Sequence, residues 1–185
     1  RKFIERVRRG DSSFGIHTSS MSPQVVEQMG FLGLDYVIVS TEVESLDRGL
    51  LENLLRAAAS GGTVPCVKLR RRDPELVGEA MNAGAPFVMV PHVTTRAELE
   101  EAVDASRFIP FGARGLCPVA RYTGFGAFDM DASRQNPNDL GAVIPIIEDR
   151  EALDHVGDLM RVPDVDIFEI GPWDLSQSLG VNCTF

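Results

Sequence analysis

Cysteine is scarce in this chain of 185 residues. The three present, Cys66, Cys117 and Cys183, are odd in number and show none of the close spacings of a metal site. A disulfide framework and a structural zinc centre are therefore not expected, and reduced thiols in a cytoplasmic protein are. Positive charge is also in short supply: 18 Lys and Arg stand against 27 Asp and Glu, a net charge of -9. Neither a nucleic acid nor an anionic membrane surface gains from such a partner unless its cations are segregated, so neither is expected. The one dense cationic stretch is Lys68, Arg70, Arg71 and Arg72. No apolar run approaches the ~20 residues of a transmembrane helix. No secretory signal is visible, and a chain opening on Arg1 is expected to have lost its original start. None of the early strand-to-helix turns carries G-x-G-x-x-G or G-x-x-x-x-G-K-[ST], which weakens a dinucleotide reading.

What is present is apolar material for one sizeable core, 44% of residues, with 24% charged. Residues 1–185 are expected to form one domain. Strand-like runs alternate with helical patterns: "FGIHTS" (14–19), "DYVIVST" (35–41), "VPCVKL" (64–69), "PFVMVP" (86–91), "RFIP" (107–110), "AVIPIIE" (142–148) and "DIFEIG" (166–171). Seven strands apolar on both faces predict an α/β protein whose parallel sheet is covered by helices. Helix signals between them include Asp73 before Pro74, the capping box "TRAE" from Thr95 to Glu98, and a stop at Gly84. A TIM-type (β/α)8 barrel gathers chemistry at the C-terminal ends of its strands, where "HTS", "STE", "KLRRR", "PH", "EDR" and "GPWD" fall. Such a barrel takes ~200 to 250 residues or more. On this count the eighth unit is missing, truncated or supplied by a neighbouring subunit.

Two of those endings are acidic and one βα repeat apart. Glu148 ends the sixth expected strand and Asp174 follows the seventh. Neighbouring parallel strands lie ~4.8 Å apart, so the two carboxylates can converge, and like charges that close call for a proton or a cation between them. A divalent metal with oxygen ligands answers this. The alternative is that each carboxylate caps the helix behind it.

The "IIE" of 146–148 followed by "IGPWDLSQSLG" at 170–180 resembles the HpcH/HpaI aldolase/citrate lyase family, which carries an acidic strand end and then G-P-x-D-L-S. The resemblance extends through "GFLGLDYVIVSTEVESLD" (30–47), "VPCVKLRRRDP" (64–74), "VMVPHVTTRAELEEAVDASRFIPFGARG" (88–115) and "ARYTGFG" (120–126), nearly the whole chain. It implies a βα barrel whose eighth helix is exchanged between subunits of a dimer, often within a hexamer. It implies Glu148 and Asp174 as metal ligands, with Mg2+ or Mn2+ as the ion and Co2+ as a third candidate. It also implies pyruvate held on that ion through its carboxylate and keto oxygens, with the metal acting as Lewis acid on the enolate.

The substrate half of the family pattern is altered. In the second-strand motif D-x-E-H, Ser40 stands for the aspartate, Glu42 is kept, and Val43 replaces the histidine that serves proton transfer. Valine cannot move a proton. The strand-three arginine aligns with Lys68, which keeps the charge and loses the planar two-pronged donor; Arg70 lies two residues on. Ile146 replaces a glutamine, and Trp173 replaces the small residue after Gly171 and Pro172, both changes making the pocket less polar. His17, at the end of the first strand, is the candidate replacement base, against a packing role. His92, ending the fourth, is expected to face the same rim and the substrate. Glu42 is expected to hold a metal-bound water or to be a solvated strand end. Asp149 is expected to cap the next helix, Arg114 of "GARG" to pair with a loop carboxylate, with an anionic substrate tail as the alternative partner, Arg121 and Tyr122 to shape the pocket mouth, and His155 to lie on the surface. Cys117, near the rim, has no histidine beside it and is a poor nucleophile candidate.

The sequence therefore predicts a metal-dependent carbon-carbon lyase acting on a 2-oxo acid or related carboxylate, with Glu148 and Asp174 on the metal, Lys68 as electrophilic cation and His17 as proton carrier. A homologue without catalysis that binds a small carboxylate, or an oligomeric scaffold, is the alternative.

Overall fold

The computed structural model describes residues 2–42, 46–127 and 141–183. Among them six strands, β1 Gly15–Thr18, β2 Tyr36–Ser40, β3 Val64–Lys68, β4 Phe87–Val90, β5 Ala142–Ile147 and β6 Glu169–Ile170, form one curled, all-parallel sheet whose spatial order is the chain order. This is a half-barrel of the TIM type. The helices are α1 Lys2–Arg8, α2 Pro23–Phe31, α3 Arg48–Gly61, α4 Pro74–Asn82, α5 Arg96–Ser106, α6 Arg150–Asp154, α7 Val156–Leu159 and α8 Pro172–Leu179.

Strand periodicity sorts the side chains into two faces. Outward, Val37 and Val39 pack on Val26 of α2 and on Leu54 and Ala58 of α3. Val67, Val88, Val90, Val143 and Ile147 pack on Val77 and Met81 of α4, Leu99 of α5 and Leu159 of α7. Inward, Cys66, Phe87, Met89, Ile144 and Ile146 form a second core with Ile4 and Phe3 of α1. Phe3 meets Tyr36 and Phe87, the first residues of β2 and β4, edge to face at 5.9 and 5.2 Å. Helix α1 thus covers the N-terminal end of the sheet and leaves the other end for chemistry.

The helix signals behave as expected. Asp73 accepts the Glu75 N–H at 3.0 Å with Pro74 at the first helical position. Thr95 and Glu98 form the reciprocal capping box. Helix α4 ends at Asn82, and Gly84 follows at φ 107, a conformation a side chain would resist.

The expected strand at 107–110 is absent. Phe108 makes one isolated bridge, to Arg114, in a tight loop tied to the end of α5 by Ala113 N–H to Asp104 O at 3.0 Å. The reason is geometric. β5 pairs directly with β4, Phe87 level with Ala142, so no slot remains between them. The Arg107 side chain is buried instead, donating to the Gly141 carbonyl at 2.9 Å.

Candidate active site

Every residue of β5 is buried, because one face meets helices and the other meets the inner core. Glu148 continues the inward alternation of Ile144 and Ile146, so its carboxylate turns into the C-terminal mouth of the curl, 1% exposed. One oxygen, Oε1, accepts the backbone N–H of His92 at 2.8 Å. The other, Oε2, is buried and has no hydrogen-bond partner among the described residues. Gly171 crosses beside it, its N–H donating to Ile147 O at 3.0 Å. A Cβ on Gly171 would stand 2.7 Å from Oε2 and 3.2 Å from Ile146 Cγ2, so only glycine leaves that oxygen open space. Asp174 lies in the first turn of α8, and its charge acts on both Glu148 and His92. Burial raises the Glu148 pKa and the charge of Asp174 adds to the rise; the His92 N–H and the cationic Lys68 oppose it.

Lys68 ends β3 on the same inner face, and its Nζ lies 2.6 Å from Glu42 Oε2. Burial draws the Lys68 pKa down, but the hydrogen bond and charge of Glu42, with the charges of Glu148 and Glu169, outweigh it and leave the pKa raised. Glu169 joins this group although the sequence pattern does not mark it. It sits in β6 level with Ile146 and lines an apolar hollow of about 290 Å3 with Ile38, Cys66, Phe87, Met89 and Ile144. Its Oε2 is buried without a partner among the described residues, and burial, with Glu148 and Glu42 nearby, holds its pKa up. Alternation puts the glutamate on one face with Ile167 and Gly171, and register with Ile146 makes that face the inward one.

His92 lies two residues beyond β4, at φ 52. Its Nδ1 is 2.9 Å from Asp149 Oδ2. Asp149 occupies the N-cap position of α6 but makes no capping hydrogen bond, because its carboxylate turns to the imidazole instead; the expected cap is corrected accordingly.

The other expected site residues are dispersed. His17 faces inward but level with Ile38, one layer below Ser40 and Lys68. Ile146 is buried directly beneath the Glu148 carboxylate, while Pro172 opens α8 and Trp173 beside it is 65% exposed. Arg70 lines a separate cavity with Thr41, Arg48, Val67 and Glu79, on the outer side of the sheet. Val43 lies outside the described residues.

Three loop expectations fail because the loop sits against the C-terminal end of α4, far from the mouth. Among the described residues Arg114 meets no carboxylate. Its guanidinium lies 4.7 and 4.3 Å from the ring centres of Phe108 and Tyr122 and donates to Asn82 Oδ1 at 3.0 Å. Burial pushes its pKa down to about 10. Arg121 lies over Gly84, and Tyr122 stacks on Phe108 at 5.4 Å, so neither shapes the pocket mouth. His155 is half-buried rather than on the open surface, with Nδ1 3.0 Å from the Thr94 carbonyl.

The mouth fits a hard divalent cation. It offers an unpartnered buried carboxylate oxygen, a glycine notch beside it and a second carboxylate in Asp174. Among the described residues no three His, Cys, Asp or Glu side chains are grouped as a metal cage. A cation there would take two protein carboxylates and complete its shell with water or substrate oxygen, as Mg2+ commonly does.

The family model for HpcH/HpaI aldolase/citrate lyase matches residues 13–184. A 2-dehydro-3,6-dideoxy-6-sulfogluconate aldolase of Pseudomonas putida is 31% identical over 174 residues, covering 94% of this chain and 68% of the relative. A hydroxypyruvate/pyruvate aldolase of Sagittula stellata is 31% identical over 179 residues, covering 97% and 70%. The crystal structure of a family protein from Burkholderia cenocepacia J2315 superposes with a TM-score of 0.88 at 31% identity, covering 97% of this chain and 72% of that one. The chain spans about two thirds of the length of the curated relatives it matches.

Proposed function

This chain belongs to the HpcH/HpaI aldolase/citrate lyase family, and from that premise we propose that it is a divalent-metal-dependent carbon-carbon lyase of aldolase type, acting on a 2-oxo acid or related carboxylate. The observation that carries the reading is the buried Glu148 carboxylate, one oxygen bonded to the His92 N–H and the other open beside Gly171, with Asp174 at the same mouth. Both carboxylates would hold the ion, Mg2+ or Mn2+. When bound, it supplies Lewis acidity toward the carboxylate and keto oxygens of the substrate.

The chain's own groups divide the remaining work. Lys68 brings a positive charge for a developing oxyanion, and to reach it the ammonium exchanges Glu42 for the substrate oxygen, one anion for another. His17, on the inner face one layer down, is the candidate proton carrier in place of the histidine missing at position 43. Buried Ile146 and exposed Trp173 make the walls apolar. A homo-oligomer completed by helix exchange belongs to the same reading. So do the apolar side chains left exposed at the sheet edges, Ile16 of β1 and Ile170 of β6.

The test is exchange of the protons next to the keto group. Incubated in D2O with Mg2+ or Mn2+ and a panel of 2-oxo acids, the protein is expected to deuterate at least one at that carbon, and Glu148→Ala and Asp174→Ala to lose both exchange and Mn2+ binding. No exchange across the panel with metal bound would replace this reading with that of a non-catalytic carboxylate binder.

A further inference from the structure

The backbone at His92 is left-handed, φ 52, a conformation that asparagine and glycine enter readily and histidine much less often. It is held there from three sides. Arg72 Nη1 donates to the His92 carbonyl, and Arg72 is itself fixed by Glu98 at 2.7 Å, the glutamate of the α5 capping box. Asp149 Oδ2 lies 2.9 Å from the imidazole Nδ1. The His92 N–H then points at Glu148 Oε1, 2.8 Å away.

Two features of this arrangement run against ordinary helix and loop economy. Asp149 leaves the N-terminus of α6 without a side-chain cap, and Arg150 N–H turns to Ser178 Oγ at 2.9 Å instead. A non-glycine residue is kept at positive φ in a short connection between strand and helix. Both are explained if the conformation at residue 92 matters more than either. A carboxylate bonded through one oxygen only is free to rotate unless that bond is well aimed; His92 supplies it and leaves Oε2 unbonded at the Gly171 notch.

We propose that His92 is a positioning residue: Asp149 and Arg72 lock it in the left-handed conformation so that its backbone N–H fixes the Glu148 carboxylate and presents Oε2 to the cation. The proposal rests on the reading that Glu148 is a metal ligand. Groups that orient ligands from behind typically carry about 10- to 100-fold of metal affinity, and this is the effect expected here.

The experiment measures Mn2+ affinity of the protein by loss of the free-ion electron paramagnetic resonance signal, with the metal-free melting temperature as control. His92→Ala and Asp149→Ala are expected to weaken Mn2+ binding by about 10-fold or more while their metal-free melting temperatures stay within a few degrees of the parent. His92→Asn is expected to restore affinity to within about threefold, since asparagine accepts positive φ and its amide donates to Asp149. Should His92→Ala unfold, Asp149→Ala against His92→Asn carries the comparison alone. Parental affinity in both alanine variants would overturn the inference and leave Glu148 as a ligand, as would equal losses in His92→Ala and His92→Asn. Parental Mn2+ affinity in Glu148→Gln would overturn the metal site itself, and the inference with it.

Discussion

Lys68 Nζ and Glu42 Oε2 close on each other at 2.6 Å from the ends of adjacent parallel strands, with the lysine side chain 15% exposed and the glutamate 25%. The register that aligns Ser40 with Lys68 brings them together. A further link, Thr41 N–H to Lys68 O at 2.8 Å, fixes the backbone between them. The cation at the mouth is thus already engaged before any substrate arrives, and Glu148 and Glu169 add to its field.

Replacing Lys68 by Met leaves those carboxylates without their cation. At neutral pH this is expected to cost about 1–3 kcal/mol, between the values for exposed and buried pairs. The folded-state pKa of Lys68 lies above its ordinary 10.5. Its contribution is therefore complete below that pH and lost as pH rises through the raised value. Urea unfolding of parent and Lys68→Met should differ by a constant amount from pH 6 to 9, and the gap should narrow as pH rises from 10.5 through the raised pKa; a gap that does not narrow at all would refute the ionic origin.

Glu169 carries the opposite sign. Burial holds its pKa above the ordinary 4.5, so its ionised form is disfavoured in the fold. The resulting penalty is absent below pH 4.5 and grows as pH rises through the folded pKa. Glu169→Gln is expected to stabilise the metal-free protein at pH 7 by about 1 kcal/mol, a rise in Tm of roughly 2–4 °C. Melting curves at pH 7 and pH 4 decide it, because the gain should vanish at the lower pH.

Why Glu169 escaped a reading of the sequence while Glu148 did not is a matter of context. Glu148 ends an apolar run, and its spacing to Asp174 repeats the βα period, so chain order alone marks it. Glu169 lies inside "DIFEIG", where its inward direction follows from register with Ile146, which only the sheet supplies. Six of the seven expected strands, the caps at Asp73 and Thr95 and the polar strand ends are legible because they depend on local chemistry. The extra strand at 107–110 was drawn from β-branched and aromatic residues that serve a loop instead, where Phe108 packs against Arg114. Asp149 looked like a cap because nothing local reveals an imidazole 57 residues away in sequence.

Arg114 supplies a control for claims about the mouth. Its guanidinium lies against both Phe108 and Tyr122, which stack on each other, and is bonded to Asn82, at the far end of α4 from Lys68. Lysine keeps the charge but lacks the planar, delocalised group that meets both rings and the two-pronged donor that reaches Asn82. Arg114→Lys is expected to lower stability by about 1–3 kcal/mol and to leave Mn2+ affinity at the parental value. A matched loss of affinity would mean that the two ends of the sheet are coupled, against this separation.

The sharpest steric test lies at Gly171. Its φ of -90 is open to any residue, so alanine there meets no backbone strain and the outcome depends on space alone. The added methyl would approach Glu148 Oε2 to 2.7 Å and Glu148 Cβ to 2.8 Å, with Ile146 Cγ2 at 3.2 Å. Ile146 is buried and cannot retreat, so the carboxylate must move. Overpacking of this kind costs about 1–3 kcal/mol, and the displaced oxygen is the one left open for the cation. Gly171→Ala is therefore expected to lower Tm modestly and to weaken Mn2+ binding by about 10-fold or more. Ile146→Ala in the same chain should recover part of that affinity by giving the carboxylate room, although the cavity it opens lowers stability further. Calorimetric titration of the single and double variants separates the two effects: recovery of affinity without recovery of Tm is the signature of a notch that exists to keep Oε2 free.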